Sequence, residues 1–116
     1  MNYFLEQEPI IMSGKYLGEL KEVRESISDS GKKFLVLSFS LYVEEDTLME
    51  KDFLIPINLR INSLFHIMAK KFDVYDSATG KIDFESIVGN AYELTLAENE
   101  KDGRKYLNIA DARIKI

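Results

Sequence analysis

Apolar and polar positions alternate with period two from Phe34 to Val43. Leu35, Leu37, Phe39, Leu41 and Val43 fall on one face; Phe34, Val36, Ser38, Ser40 and Tyr42 fall on the other. Such alternation, rich in β-formers, predicts a long strand whose first face lies in a core. Residues 14–27 read as a strand before it, joined through the turn Ser28-Asp29-Ser30-Gly31-Lys32. Gly18, inside that first strand, implies a sharp bend or a close approach of the backbone. The polar corner Glu44-Glu45-Asp46 leads to a third strand over 48–57, with Pro56 placing its end near an edge.

The period then changes. Ile61, Leu64, Phe65, Met68 and Phe72 share one face of an α-helix, with Asn58 or Asn62 available as its cap. Lys70 and Lys71 fall in its last turn, where the helix dipole favours cations. Residues 73–81 read as a loop around Ala78-Thr79-Gly80. Residues 83–89 read as a helical turn capped by Asp83 and stopped by Gly89. Alternation returns with Tyr92, Leu94 and Leu96, Glu100-Lys101-Asp102-Gly103 makes a hairpin turn, and residues 105–116 return as a strand.

Three strands, a helix, a turn and two strands follow the order of the OB-fold, a five-stranded Greek-key barrel with its helix between strands three and four. The helix face would plug the barrel bottom, and closure would remove most free strand edges. The expectation is therefore an all-β domain with one helix, spanning residues 1–116. Residues 1–13 form an extension whose apolar Tyr3-Phe4-Leu5 and Ile10-Ile11-Met12 suit a sheet edge or a neighbouring subunit.

Composition narrows the function. At 116 residues and 46% hydrophobic, the chain supports one core and not two. It has no cysteine, which excludes disulfides, thiolate zinc sites and thiol nucleophiles. The single histidine, His66, leaves multi-histidine metal sites and nucleophilic triads without parts. The carboxylates of Glu44-Glu45-Asp46 lack the glycine-spaced loop that calcium needs. No phosphate-cradling loop, nucleophile elbow or paired catalytic carboxylates appear, so neither enzyme activity, cofactor nor metal is expected. No apolar run reaches a membrane span, and Glu6 and Glu8 in a start without basic residues are unlike a secretory signal. A cytoplasmic location is the expectation. Fifteen Lys/Arg against 20 Asp/Glu leave a net charge of −5, so any nucleic-acid contact must come from a local patch.

Four stretches together carry a family resemblance: Ser13-Gly14-Lys15-Tyr16-Leu17-Gly18-Glu19-Leu20, the Ser28-to-Lys33 turn, Val88-Gly89-Asn90-Ala91-Tyr92-Glu93-Leu94, and Gly103-Arg104-Lys105-Tyr106-Leu107-Asn108-Ile109. In this order and spacing, over Ser13 to Ile116, the chain resembles small OB-fold single-stranded DNA-binding proteins of phages and mobile elements of Gram-positive bacteria. The resemblance implies sequence-tolerant binding of single-stranded DNA in phage or plasmid replication and recombination, with proteins of those processes as partners. Housekeeping relatives carry a long polar tail with an acidic, aromatic-tipped end. Here the sequence stops on a strand, and recruitment through such a tail is not expected.

Single-strand binding combines stacking on aromatic faces with cations along a groove. Phe34 follows Lys32 and Lys33, and small Ser38 and Ser40 leave space between the rings of Phe34 and Tyr42, with Val36 on the same face. Lys51 and Phe53 share a face of the third strand, and Arg104 and Lys105 adjoin Tyr106. These ten residues (Lys32, Lys33, Phe34, Val36, Tyr42, Lys51, Phe53, Arg104, Lys105 and Tyr106) are the candidate nucleic-acid contacts. A homodimer is expected, since two short grooves on one strand multiply affinity. The alternative is a non-catalytic OB-fold interaction module for protein or oligosaccharide, which the acidic charge favours.

Overall fold

The computed structural model describes residues 2–3, 11–44 and 47–115. Phe4, Leu5 and Ile10 of the extension, and Glu45 and Asp46 of the polar corner, lie outside the described residues. Strands β1 (Gly14–Ile27), β2 (Lys33–Glu44) and β3 (Thr47–Pro56) form an antiparallel meander. Helix α1 (Leu64–Lys71), the two-residue strands β4 (Tyr75–Asp76) and β5 (Lys81–Ile82), and a 3-10 turn over Phe84–Ile87 follow. Strands β6 (Ala91–Lys101) and β7 (Arg104–Ile114) close the chain as a hairpin. The main sheet has five strands in the order β3-β2-β1-β6-β7, every neighbouring pair antiparallel. The fold is thus mostly β with one helix, which comes between the third and fourth strands of the sheet. The expected closed barrel is not completed by a ladder: among the described residues β3 and β7 remain the sheet's two edges.

β1 is the spine, pairing with β6 through Gly14–Glu19 and with β2 from Gly18 onward. Gly18 and Glu19 are paired to both, just before the bulge between Leu20 and Glu22. A Cβ there would lie 2.8 Å from a Leu41 methyl and 3.3 Å from the Phe39 ring, the close approach that its place in the sequence implied.

The inner face of β2 carries Leu35, Leu37, Phe39 and Leu41 into the core, as the alternation predicted. Leu20, Leu94 and Leu96 meet them from β1 and β6. Phe72, fully buried at the end of α1, packs on Phe39, Phe84 and Tyr92 with ring centroids 5.1–6.1 Å apart.

The helix is shorter than its periodicity suggested. Its cap is Ser63, whose hydroxyl accepts the His66 N–H at 3.2 Å, and neither Asn58 nor Asn62 takes that role. Asn58 accepts the Arg60 N–H, while Asn62 stands at φ 64° and donates its N–H to His66 Nδ1. Starting at Leu64 removes Ile61 from the helix, and Ile61 (81% exposed) and Leu64 (54%) lie off the buried face. Phe65, Met68, Ala69 and Phe72 form that face instead. Lys71 does more than complement the dipole. Its ammonium donates to the Ala110 carbonyl at 2.6 Å, where the β6–β7 register shifts, and lies 3.7 Å from Asp111. The loop over 73–81 contains the small β4–β5 hairpin, and Asp83 makes no side-chain cap bond.

Candidate nucleic-acid interface

The two sheet edges do not face open solvent alone. They line opposite walls of a cleft of about 590 Å³, with Lys51, Asp52, Phe53 and Leu54 from β3 and Asn99, Lys105, Tyr106, Leu107 and Asn108 from the β6–β7 hairpin. β3 and β7 are each antiparallel to a strand that fixes their sense: β3 to β2, β2 to β1, β1 to β6 and β6 to β7. Four reversals make the two edges run in the same direction. A second hollow of about 350 Å³ continues the cleft past Phe34, Pro56, Leu64 and Met68, sharing Phe53, Leu54, Asn99 and Asn108 with it.

Of the residues expected at the site, Lys51, Phe53, Lys105 and Tyr106 are brought together here, although about 50 positions separate the two pairs. Tyr106 is 48% exposed and offers a ring face. Phe53 is 4% exposed and packs edge-on against Phe39 at 6.0 Å, so it serves as cleft floor and core together. The face that Lys51 and Phe53 share is therefore the inner one, with Lys51 half-buried at the edge.

The outer face of β2 differs from expectation. Val36 is 3% exposed, placed in register between Arg24 of β1 and Leu54 of β3, so its side chain is packed and not offered to a ligand. Ser38 does not leave empty space between rings. It accepts from Arg24 at 2.9 Å and donates to Asp52 at 2.6 Å, and Arg24 also binds Asp52 at 2.9 Å. Those two bonds hold the Asp52 carboxyl below its ordinary value, the Ser38 hydroxyl contributing most and the Arg24 guanidinium next. Ser40 is buried and donates to Glu50 at 3.4 Å. With Glu22 and Glu50 in the same rows, this face is acidic and largely self-satisfied.

Phe34 is half-buried at the end of the second hollow, with the Lys32 ammonium 5.3 Å from its ring centroid. One face of that ring is already covered by a cation. Lys33 pairs with Ile27 beside the β1–β2 turn, Tyr42 lies at the opposite end of β2 beside Leu48, and Arg104 opens β7 next to the hairpin turn. None of these three lines the cleft. Lys32, Lys33, Lys51, Arg104 and Lys105 make no ion pair among the described residues, whereas Lys15, Lys21, Arg24, Lys71 and Arg113 all do. The unneutralised cations thus include those at the cleft.

Asn99 and Asn108 were missed by sequence reasoning. Asn99 pairs with Tyr106 and Asn108 with Ala97, which sets both amides on the Tyr106 face. Asparagine is depleted in strands, so two of them inside alternating segments were the available signal. Each amide supplies a donor and an acceptor beside an exposed ring. No family model matches the chain, and no curated protein matches it in sequence.

Proposed function

We propose that this chain is a non-catalytic, single-stranded DNA-binding protein acting in phage or plasmid replication and recombination. One observation carries the reading: the cleft between the two sheet edges gathers Lys51, Lys105 and the exposed ring of Tyr106 from distant parts of the sequence. Bases stack on Tyr106, the two ammonium groups neutralise neighbouring phosphates, and Asn99 and Asn108 accept or donate to whichever base edge is presented. The same edge-to-edge seam fits an OB-fold barrel left partly open, because the strand order β3-β2-β1-β6-β7 with one intervening helix is that of the OB-fold before its last pairing. The protein works as a homodimer in the cytoplasm of its host, and replication or recombination proteins are its partners.

A second reading, a non-catalytic module for protein or oligosaccharide, draws on the acidic, self-satisfied outer face of β1–β3. The discriminating experiment titrates oligo-dT, oligo-U and a duplex against the protein at low and high salt. Salt-sensitive binding of oligo-dT, with duplex much weaker, is the expected result, since duplex bases are stacked on each other. Absence of a salt-sensitive complex at micromolar protein favours the module. Tighter binding of oligo-U reassigns the ligand to RNA.

A further inference from the structure

A separate groove of about 460 Å³ lies between the β1–β2 arm and the segment that follows β5. Its floor is apolar: Val23 of β1, Leu35 of β2, Ile57, Phe65 of α1, Ile82 and Phe84. Its charged lining is Glu25, Asp83, Glu85 and Arg24, and the Arg24 guanidinium is already held by Asp52 at 2.9 Å. Three carboxylates therefore act on whatever enters. A further hollow of about 340 Å³ adjoins it, sharing Leu59, Gly80 and Ile82. Leu59 and Ile61 stand beside it 86% and 81% exposed, a pair of large aliphatic side chains that the fold leaves in water.

We propose that this groove docks a short amphipathic segment of a partner protein, with bulky apolar residues on one side and Lys or Arg on the other. The apolar floor asks for a hydrophobic anchor, and the carboxylates select cations around it. A groove of this size holds one or two large side chains, and Leu59 and Ile61 extend the apolar contact beyond it. The same carboxylates repel a phosphate backbone, so the groove and the β3–β7 cleft take ligands of opposite charge. This surface is independent of the nucleic-acid reading: it uses none of the cleft's residues.

The test titrates a synthetic helix, leucine and phenylalanine on one face and lysine on the other, into the full chain labelled with nitrogen-15. Amide shifts at Val23, Glu25, Leu59, Ile82 and Glu85, with those of 51–54 and 105–108 unmoved, are the expected result. Affinity in the range of about 10–100 μM suits so small a contact. The double variant Glu25→Lys/Glu85→Lys and the double variant Leu59→Ser/Ile61→Ser should each weaken binding about tenfold or more. All four positions are exposed, so the unliganded spectrum should otherwise be retained. Equal binding of the same helix with glutamate for lysine overturns the proposal, as does binding that neither double variant changes. Shifts confined to the cleft, or oligo-dT shifting the groove amides, also reject it. Conversion of an oligomer to a monomer by Leu59→Ser/Ile61→Ser would assign the groove to a second copy of the chain.

Discussion

Asp52 shows how a single residue can look like site and act as scaffold. It lines the cleft, yet its carboxylate is committed to Ser38 and Arg24 on the outer face. Its folded pKa lies below the ordinary value of 3.8, so its contribution to stability is present above that value and is lost as pH falls through the folded pKa. Ser38→Ala and Arg24→Ala should each raise the Asp52 pKa toward the ordinary value, as read by carboxylate NMR titration. An unmoved pKa in Ser38→Ala would remove the hydroxyl as the main cause. Tyr106 and the two cleft lysines should separate by their salt response. Tyr106→Ala should weaken oligo-dT binding by about 1–3 kcal/mol with the salt slope unchanged. Lys51→Ala or Lys105→Ala should lower the slope by roughly 0.7 per lost phosphate contact. Phe34→Ala should cost less than Tyr106→Ala, because Lys32 already covers one face of the ring. Fluorescence anisotropy across a salt series measures all four. Tyr106 was legible from its hairpin context, but Val36 and Phe53 were not. Alternation tells which residues share a face, and it does not tell which strands pack across that face.

At the scale of elements, strands were legible and the helix start was not. Period two persists as long as one face is buried: β2 holds its inner face from Leu35 to Leu41, and β6 alternates from Tyr92 to Leu96 before its far half turns polar. The helix face was read one turn too early because Ile61 continues the 3.6 spacing. A local hydrogen bond, Ser63 to the His66 N–H, fixed the boundary instead. The β4–β5 hairpin, with two residues in each strand, is too short to leave any period. Phe72 is where helix and sheet meet, its ring shared among Phe39, Phe84 and Tyr92. Phe72→Ala should cost about 3–5 kcal/mol by denaturant unfolding, the range for deleting a buried aromatic. Gly18→Val should cost about 1–3 kcal/mol, since Leu41 and Phe39 occupy the space that its branched side chain needs. A Gly18→Val protein as stable as wild type would mean that the β1 bend tolerates a side chain.

For the molecule as a whole, charge is sorted rather than averaged. The net charge of −5 describes neither the cleft, where Lys51 and Lys105 make no ion pair among the described residues, nor the outer face, where carboxylates prevail. Composition can state a balance and cannot state where each sign goes, which is why the site was visible only as fragments. The proposed dimer makes a mass prediction: light scattering should give about twice the 13.4 kDa of one chain. A value near 13.4 kDa at high concentration would leave each cleft to bind alone.

The seam between β3 and β7 also makes the protein its own reporter. Each edge strand directs alternate amides away from its single partner, and among the described residues no ladder across the seam receives them. Those protons should trade with deuterium far faster than the amides of β2, which is paired on both sides. A ligand lying in the seam shields them, and one at the β1–β2 groove leaves them as they were. Mass-resolved deuterium uptake by the peptides covering 51–54 and 105–108 therefore reads cleft occupancy directly, without a dye, a tag or a substitution.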